Sequence, residues 1–463
     1  MPITTSSREA EAEFETGREL INNARLHEAS RYFQKAAKTD PRFALAYLFL
    51  AYSDPSARGF FENLQLAKTN SERASRGEQL LIGSTLAAAD GNPGQQRELL
   101  GKLVEMYPKD ECVLFFQASA YFAEQMYDSA AIVCERIVQL VPSYASPYNI
   151  LGYSYRALGN LDAAGRAFQE YIRLIPHDPN PYDSYAELLT RMGHFEDAIL
   201  QYRLALKQDP TFGASRVGIS ANLIFLGRYD EARKELTLLR DSAVNTAHKR
   251  AALIGMVVSY VDEGNLSDAL GQLEALYELD ASIPDPLAMS TDLRSIAFVL
   301  ARLGRFEEAE SRLKLIPDII ENSDVFARVK RDTRTDQTAW LAVVRLEQGQ
   351  LGEAQTLADQ YLAEIVSTAN PSRLRYAHLI RGRVAVAQSD FDRAVTELEQ
   401  ADQHQAWTLY HLAKAYEGKG DLTRAAELYE QAANSYELNS MYYAFIRRQA
   451  AGRADELRQK PIP

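Results

Sequence analysis

Large apolar residues recur at helical spacing within residues 145–178. Between Tyr148 and Tyr155 they fall three to four positions apart, as on one face of an α-helix. The pattern breaks at Gly159, resumes, and stops at Pro176. Glycine and proline are the residues that most often end helical segments. This stretch therefore predicts a helix, a turn and a second helix.

Two small residues, Gly152 and Ala164, suggest how the two helices pack. Helices approach closely only where one side offers no bulk. With Gly152 as position 8, units of 34 residues begin at residues 77, 111, 145, 179 and 213. Position 20 is then alanine in four units, at Ala130, Ala164, Ala198 and Ala232. Position 32 is proline, at Pro108, Pro142, Pro176 and Pro210.

The same pattern extends in both directions. Upstream units begin near residues 10 and 44, and downstream units begin near 250, 290, 335, 375 and 406. The downstream units share one turn sequence. It consists of a glycine, a polar residue, an apolar residue, two further residues and an alanine, as in Gly264–Ala269. We therefore predict an N-terminal array over 10–244, a second array over 250–439 and a capping helix over 440–459. The basic residues between Arg328 and Arg334 are interpreted as a solvated loop.

The repeated unit resembles the tetratricopeptide repeat (TPR), and the resemblance covers nearly the whole chain. It implies an all-α fold, an α-solenoid in which about 11–12 helix-turn-helix units form a right-handed superhelix. The first helix of every unit would line the inner, concave wall.

Composition excludes several partner classes. The net charge of −12 argues against general binding to nucleic acid or to anionic membranes, because both need clustered Lys and Arg. No stretch approaches the roughly 18 apolar residues of a membrane-spanning helix. The first residues lack an apolar segment behind a basic one, so we expect a cytoplasmic protein. Cys112 and Cys134 match no metal or disulfide pattern.

The TPR resemblance also implies a partner-binding surface. In this family, positions 2, 5, 9, 12 and 13 of the first helix tend to face the groove. In the units beginning at 145 and 179, the candidate residues are Asn149, Tyr153, Arg156, Asp183, Glu187 and Arg191. Their mixed polar character suits an extended peptide. The corresponding residues of neighbouring units, such as Phe115 and Phe122, are apolar and either hold hydrophobic side chains or pack as core.

A second candidate surface lies in residues 371–463. Aromatic residues and arginine are over-represented where binding energy concentrates. The candidates there are Arg383, Trp407, Tyr410 and Lys414, which would suit an acidic peptide. The alternative is that these arginines only solvate a helix surface. The paired Lys and Asn arrangement of chaperone-binding TPR proteins is not matched.

Nothing in the sequence points to catalysis. The seven histidines include no H-x-x-x-H pair, and no glycine-rich phosphate loop is present. The carboxylates are spread along polar faces. We therefore predict no catalytic residue, no metal and no cofactor.

The main hypothesis is a non-catalytic scaffold that binds a peptide or protein segment on its concave surface. The alternative is a regulatory or sensory protein that acts through self-association or through a separate output protein. That alternative follows from a similarity of residues 60–144 to repeat regions appended to bacterial kinases and transcriptional regulators, seen at Ser75–Ile82 and Tyr107–Asp110. The sequence leaves the oligomeric state open.

Overall fold

The chain folds almost entirely into α-helices. The computed structural model describes residues 1–22, 25–54, 56–283, 285–325, 327–366 and 370–459. Within these ranges there are 25 α-helices, one short 3-10 helix and no strand, so the predicted all-α solenoid is confirmed. The chain divides into two compact units, unit 1 with residues 1–192 and 200–210, and unit 2 with residues 193–199 and 211–463.

Unit 1 consists of helix pairs in chain order. Its helices are α1 (Arg8–Asn22), α2 (Leu26–Thr39), α3 (Ala44–Ser53), α4 (Ala57–Asn70), α5 (Arg76–Ala89), α6 (Pro93–Met106), α7 (Glu111–Ala123), α8 (Tyr127–Leu140), α9 (Ser146–Ala157), α10 (Leu161–Leu174), α11 (Pro179–Arg191) and the later part of α12 (Phe195–Gln208). The 3-10 helix, Ser71–Arg73, precedes α5.

Unit 2 continues the pairing and ends with one unpaired helix. It contains the start of α12. Its complete helices are α13 (Gly213–Phe225), α14 (Tyr229–Asp241), α15 (Thr246–Glu263), α16 (Leu266–Ser282), α17 (Pro286–Arg302), α18 (Phe306–Glu321), α19 (Ala327–Glu347), α20 (Leu351–Val366), α21 (Pro371–Ala387), α22 (Phe391–Leu398), α23 (Ala406–Gly418), α24 (Leu422–Ala433) and α25 (Met441–Gln459). The odd-numbered helices are the first helices of the pairs.

The small residues let the two helices of a pair approach closely. A Cβ atom at Gly152 would lie 2.4 Å from the ring of Phe168, so α9 and α10 pack as they do only because position 152 is glycine. Gly382 meets Leu398 in the same way in unit 2, at 2.5 Å. The close approach predicted from Gly152 is confirmed.

The turns within pairs show why glycine and a capping residue recur there. Gly159 has a φ of 78°, and the Asn160 side chain accepts a hydrogen bond from the Ala163 amide at the start of α10. Where the sequence lacks glycine, Ser389 itself adopts a φ of 62°, and Asp390 caps α22. The turn geometry is therefore kept without its usual residue.

Longer helices explain why the 34-residue period is lost after α14. Helices α9 and α11 have 12 and 13 residues, whereas α15 has 18 and α19 has 21. Arg328 and Arg334 lie in α19, so the solvated loop predicted there is wrong. The unit expected near 335 accordingly has its first helix from Ala327. The boundary between units 1 and 2 lies within residues 193–211 of the chain. The division into arrays over 10–244 and 250–439 stays a prediction.

The last helix does more than cover the end of the array. Helix α25 packs on α24 and also against α15, far back in the chain. Arg447 makes two hydrogen bonds to the Asp262 carboxylate, at 2.7 and 2.8 Å. Helix α25 therefore joins the end of unit 2 to its beginning.

Membrane-spanning and metal-binding features are both absent from the described ranges. No helix there is both long and apolar enough to cross a membrane. No group of three or more His, Cys, Asp or Glu side chains there could hold a metal ion. Both cysteines are free thiols, and burial raises the pKa of Cys112 and Cys134 to about 12. Both thiols are therefore protonated and unreactive at neutral pH.

Candidate functional site

Three of the predicted partner-binding residues of unit 1 form a connected group on α9 and α11. The Tyr153 hydroxyl lies 3.1 Å from Ser184 Oγ and 3.2 Å from Glu187 Oε2. Arg156 donates to the same Glu187 oxygen at 3.1 Å, and its guanidinium lies 4.6 Å from the centre of the Tyr153 ring. We call Tyr153, Arg156, Ser184 and Glu187 the polar strip. It presents a donor and an acceptor at the surface, since the Arg156 and Glu187 side chains are 32% and 30% exposed.

The other three predicted residues are placed differently. Asp183 is buried, with 7% of its surface exposed, so it does not belong to the accessible surface of α11. Asn149 is half-buried, and its side-chain oxygen has no hydrogen-bond partner among the described residues. Arg191 is exposed at the end of α11. Helical spacing places residues on a face, but the neighbouring helices decide how much of that face remains accessible.

A large cavity lies among the first helices of unit 1. It has a volume of about 730 Å³ and is lined by residues of α1, α3, α4, α5, α6 and α7. Six aromatic residues contribute to its wall, Phe49, Tyr52, Phe60, Phe115, Phe116 and Tyr144. We call it the unit 1 cavity.

The aromatic side chains contact one another around this space without filling it. The ring of Phe116 lies 5.3 Å from that of Tyr52 and 6.1 Å from that of Phe49. Of the two apolar positions considered in the sequence, Phe115 lines the cavity, while Phe122 packs near Tyr127 and the polar-strip residue Tyr153. Sequence reasoning missed the cavity because the residues that α1, α3 and α4 contribute to its wall lie more than 50 positions before Phe115.

The four predicted residues of unit 2 lie on α21 and α23, close to one another. Arg383 is only 7% exposed, donates to Glu347 at 2.7 Å, and has its guanidinium 5.3 Å from the centre of the Trp407 ring system. The Tyr410 hydroxyl lies 2.9 Å from Gln449 Oε1 of α25. Lys414 is exposed, with its ammonium 5.9 Å from the Tyr410 ring centre.

Trp407 and Arg383 are interior residues of unit 2, which corrects the expectation of an open surface. Trp407 is 7% exposed and packs against Phe298 of α17 and Tyr442 of α25, at 6.0 and 5.6 Å between ring centres. The physical reason is that these first helices and α25 bring aromatic side chains together, and burying them removes a large apolar area from water. A peptide lying across α21 and α23 would therefore meet α25.

Two cavities share Arg383 as a wall. One, of about 480 Å³, is mainly aromatic, and we call it the unit 2 cavity. The other, of about 530 Å³, carries the cationic residues Arg302 and Lys414 and also His411. Desolvation lowers the pKa of Lys414, and Arg383 and Arg302 lower it further. The carboxylates of Glu347 and Glu417 line the same cavity, so it carries charges of both signs.

Comparisons with known proteins identify the repeat. Three family models described as tetratricopeptide repeats match residues 145–178, residues 379–440, and residues 297–314 with 337–360. The chain is a tetratricopeptide repeat protein. A search among curated proteins finds no matching sequence.

Solved structures similar to this TPR protein have low identity. A complex described as Naa15/Naa10 bound to HypK-THB is 16% identical, with a TM-score of 0.28, over 83% of this chain and 68% of that one. A thermophilic TPR protein of Thermus thermophilus is 21% identical, with a TM-score of 0.31, over 46% of this chain and 98% of that one. MamA is 20% identical, with a TM-score of 0.26, over 42% of this chain and 94% of that one.

The matched TPR segments contain most of the predicted partner-binding residues. Residues 145–178 include Tyr153 and Arg156, and residues 379–440 include Arg383 and Trp407. TPR repeats generally mediate protein–protein interaction, and the family is generally non-catalytic. A protein-binding role is therefore the general expectation for both units.

Proposed function

We propose that this protein is a non-catalytic scaffold that binds a segment of a partner protein on the first helices of unit 1. An apolar side chain of the partner would enter the unit 1 cavity, and neighbouring polar groups would meet the polar strip. The observation that carries the proposal is the cavity of about 730 Å³ with its aromatic wall. Cavities of this size and composition are typical of binding sites.

Helix α7 connects the two parts of the proposed site. Phe115, Phe116 and Ser119 of α7 line the cavity. Phe122, one helical turn further along, lies 6.5 Å from Tyr153 of the polar strip, measured between ring centres. An extended segment following α7 towards α9 would therefore pass from an apolar pocket to a paired donor and acceptor. Arg156 and Glu187 suit the mixed polarity of a peptide.

A cavity-filling variant tests the proposal directly. Peptides from a random library would be selected on the wild-type protein and then measured against Ser119→Trp, which fills the cavity from a half-buried position. The selected peptides should be enriched in apolar residues that can enter the cavity. Their affinity for Ser119→Trp should be roughly tenfold or more below that for the wild type, the loss expected when one buried side chain is excluded. Ile132→Ser on α8, where Ile132 is 66% exposed, is the matched control and should change nothing.

A second variant tests the polar strip. The double substitution Arg156→Gln and Glu187→Gln should weaken binding of the same peptides by a factor of about three to ten, since it removes charge-assisted contacts at a half-exposed site.

Equal binding of the peptides by wild type and Ser119→Trp would refute the proposal. Self-association that Ser119→Trp abolishes, seen by light scattering, would instead favour a second copy of this chain as the occupant.

A further inference from the structure

The unit 2 cavity has the character of a small-molecule site. It is enclosed by α17, α19, α21, α23 and α25, and its volume of about 480 Å³ lies in the range typical of such sites. Five aromatic side chains form its wall, Phe298, Trp340, Tyr376, Trp407 and Tyr442. Neighbouring ring centres are 5.3 Å apart for Phe298 and Tyr442 and 6.4 Å apart for Trp340 and Tyr376. The rings therefore surround a space that a flat apolar group can occupy.

Hydrogen-bond donors in this wall have no protein partner. Among the described residues, neither the hydroxyls of Tyr376 and Tyr442 nor the indole N–H groups of Trp340 and Trp407 make a hydrogen bond. The Arg383 Nε is buried and also without a partner. The hydroxyl and indole groups line the cavity, so a molecule that fits here can pair with them if it carries acceptor oxygens.

Two arginines act on the tyrosine hydroxyls of this wall. Burial raises the pKa of Tyr376 to about 12, although the positive charges of Arg383 and Arg294 oppose the rise. Burial also raises the pKa of Tyr442, and the same two arginines oppose it. Both hydroxyls thus remain protonated donors at neutral pH. Aromatic cages often bind quaternary ammonium groups, but two arginines beside these rings would repel one.

The acidic residues near the cavity already have partners. Glu437, in its wall, accepts a hydrogen bond from the Ala406 amide at 2.8 Å. Glu347 accepts from Arg383 at 2.7 Å and from Arg302 at 3.1 Å. The Nη2 of Arg383 is thereby engaged, and its Nε has no partner but is buried.

We propose that the unit 2 cavity binds a small aromatic carboxylic acid. The ring lies among the five aromatic side chains, and the carboxylate accepts hydrogen bonds from Arg383 and from the tyrosine hydroxyls. Since Tyr442 belongs to α25, the bound acid connects α25 to α17, α21 and α23. This site is separate from the peptide site proposed in unit 1, and neither depends on the other.

Intrinsic fluorescence offers a direct test, because the only two tryptophans of the chain both line this cavity. The full-length protein is titrated with 3-phenylpropionate, with the neutral 3-phenylpropionamide and with the cation phenyltrimethylammonium, and calorimetry accompanies the fluorescence. We expect saturable binding of the acid, at least about tenfold tighter than that of the amide, as for a charge-assisted hydrogen bond. Equal or tighter binding of the amide or the cation would overturn the proposal, as would the absence of both signals at millimolar acid.

The same chemistry could come from a protein that ends in phenylalanine. A five-residue peptide with a C-terminal phenylalanine is therefore titrated alongside the free acid. If the protein binds the free acid as tightly as it binds the peptide, the proposal is supported. Binding of the peptide alone contradicts it.

Substitutions in the wall locate the site. Tyr442→Phe keeps the ring and removes one donor, so the affinity for the acid should fall about tenfold while that for the amide changes less. Arg383→Met should weaken the acid further, and if that variant unfolds, Tyr442→Phe alone decides the outcome. Tyr410→Phe is the matched control, because its hydroxyl pairs with Gln449 outside the cavity. Equal losses in Tyr410→Phe and Tyr442→Phe would refute the assignment.

Discussion

Units 1 and 2 are built from the same helix pair but use their first helices differently. In unit 1 the first helices leave a cavity of about 730 Å³ and an accessible polar strip. In unit 2 the aromatic side chains of α17 and α23 meet one another and α25, so that Phe298 is 1% exposed and Trp407 is 7% exposed. The repeat thus specifies how helices pair, while the residues between the recurring small positions decide whether the surface formed by the first helices is accessible.

Helix α25 accounts for much of this difference. Its Arg447 reaches Asp262 of α15 and the backbone carbonyls of Ile224 and Phe225, and its Tyr442 and Phe445 pack on Phe298. If this helix is what distinguishes the two units, then removing its anchor should affect unit 2 most.

The largest expected effect is from Arg447→Met. Asp262 has a side chain that is 1% exposed, so loss of Arg447 leaves a buried carboxylate with only the Tyr229 hydroxyl and should cost about 3 to 5 kcal/mol. Urea unfolding measures the loss, and hydrogen exchange should show α25 opening first. Arg458→Met, which removes an exposed pair with Glu430 on the same helix, should cost less than about 1 kcal/mol. Similar losses for both variants would mean that α25 is not anchored through Asp262.

The second effect is a pH dependence of unit 1. Burial raises the pKa of Asp40, but hydrogen bonds from Thr5, Ser6 and Arg42 outweigh it and hold the pKa at about 2. Because the folded-state pKa lies below the unfolded value, the contribution of Asp40 is present above about pH 4 and is lost as the pH falls towards 2. Thermal unfolding of Asp40→Asn should lose that acid dependence. An identical acid profile for wild type and variant would contradict it.

Unit 2 should show the opposite pH dependence through Asp292. Burial raises the pKa of Asp292 to about 6, although Arg250 lowers it. Since the folded-state pKa lies above the unfolded value, its contribution is full below about pH 4 and is lost as the pH rises through 6. Asp292→Asn should therefore raise the melting temperature relative to wild type at neutral pH and change it little below about pH 4. A variant less stable than wild type at neutral pH would show that the Arg250 interaction dominates.

The third effect tests helix packing, which the two units share. Gly152→Ala places a Cβ atom against the Phe168 ring and should cost about 1 to 3 kcal/mol. Gly165→Ala on the partner helix α10 meets only an ordinary contact at 3.8 Å, so it should stabilise by up to about 1 kcal/mol through helix propensity. In unit 2, Gly382→Ala meets Leu398 at 2.5 Å, and its control is Gly271→Ala on α16, where nothing lies within 4 Å of the added Cβ. Chemical unfolding should give opposite signs within each pair, and equal signs would disprove the packing argument.

The smallest effect concerns the turn caps. Asn160 caps α10 and Asn265 caps α16 by accepting from the backbone amides of Ala163 and Asp268. Substitution of either asparagine by alanine should lower the free energy of unfolding by about 1 kcal/mol. The loss should be similar in the two units. Thermal unfolding checks this. Asn265 Nδ2 also donates to Asp268 Oδ2 at 2.6 Å, so a somewhat larger cost at Asn265 would come from that contact. No measurable cost at either position would contradict the capping role.

The outcome at particular residues shows what sequence patterns could predict. The roles of Gly152 and Ala164 follow from spacing alone, because helix pairing depends on residues within one repeat. Asp183 and Trp407 were assigned to an accessible face but are buried, because neighbouring helices cover them. Arg328 was assigned to a loop because the 34-residue period had slipped, whereas α19 had lengthened. The unit 1 cavity had no signal except Tyr144 and the aromatic residues of α3, α4 and α7, which are far apart in the chain.

The sequence by itself determined the helix pairs, their close contacts and the TPR family, since these follow from residues a few positions apart. Only the tertiary structure decided which surfaces of the first helices stay accessible. That decision depends on contacts such as Arg447 with Asp262, which are 185 positions apart. No period of 34 residues encodes them, because they arise only once the stacked pairs of unit 2 bring α25 back against α15.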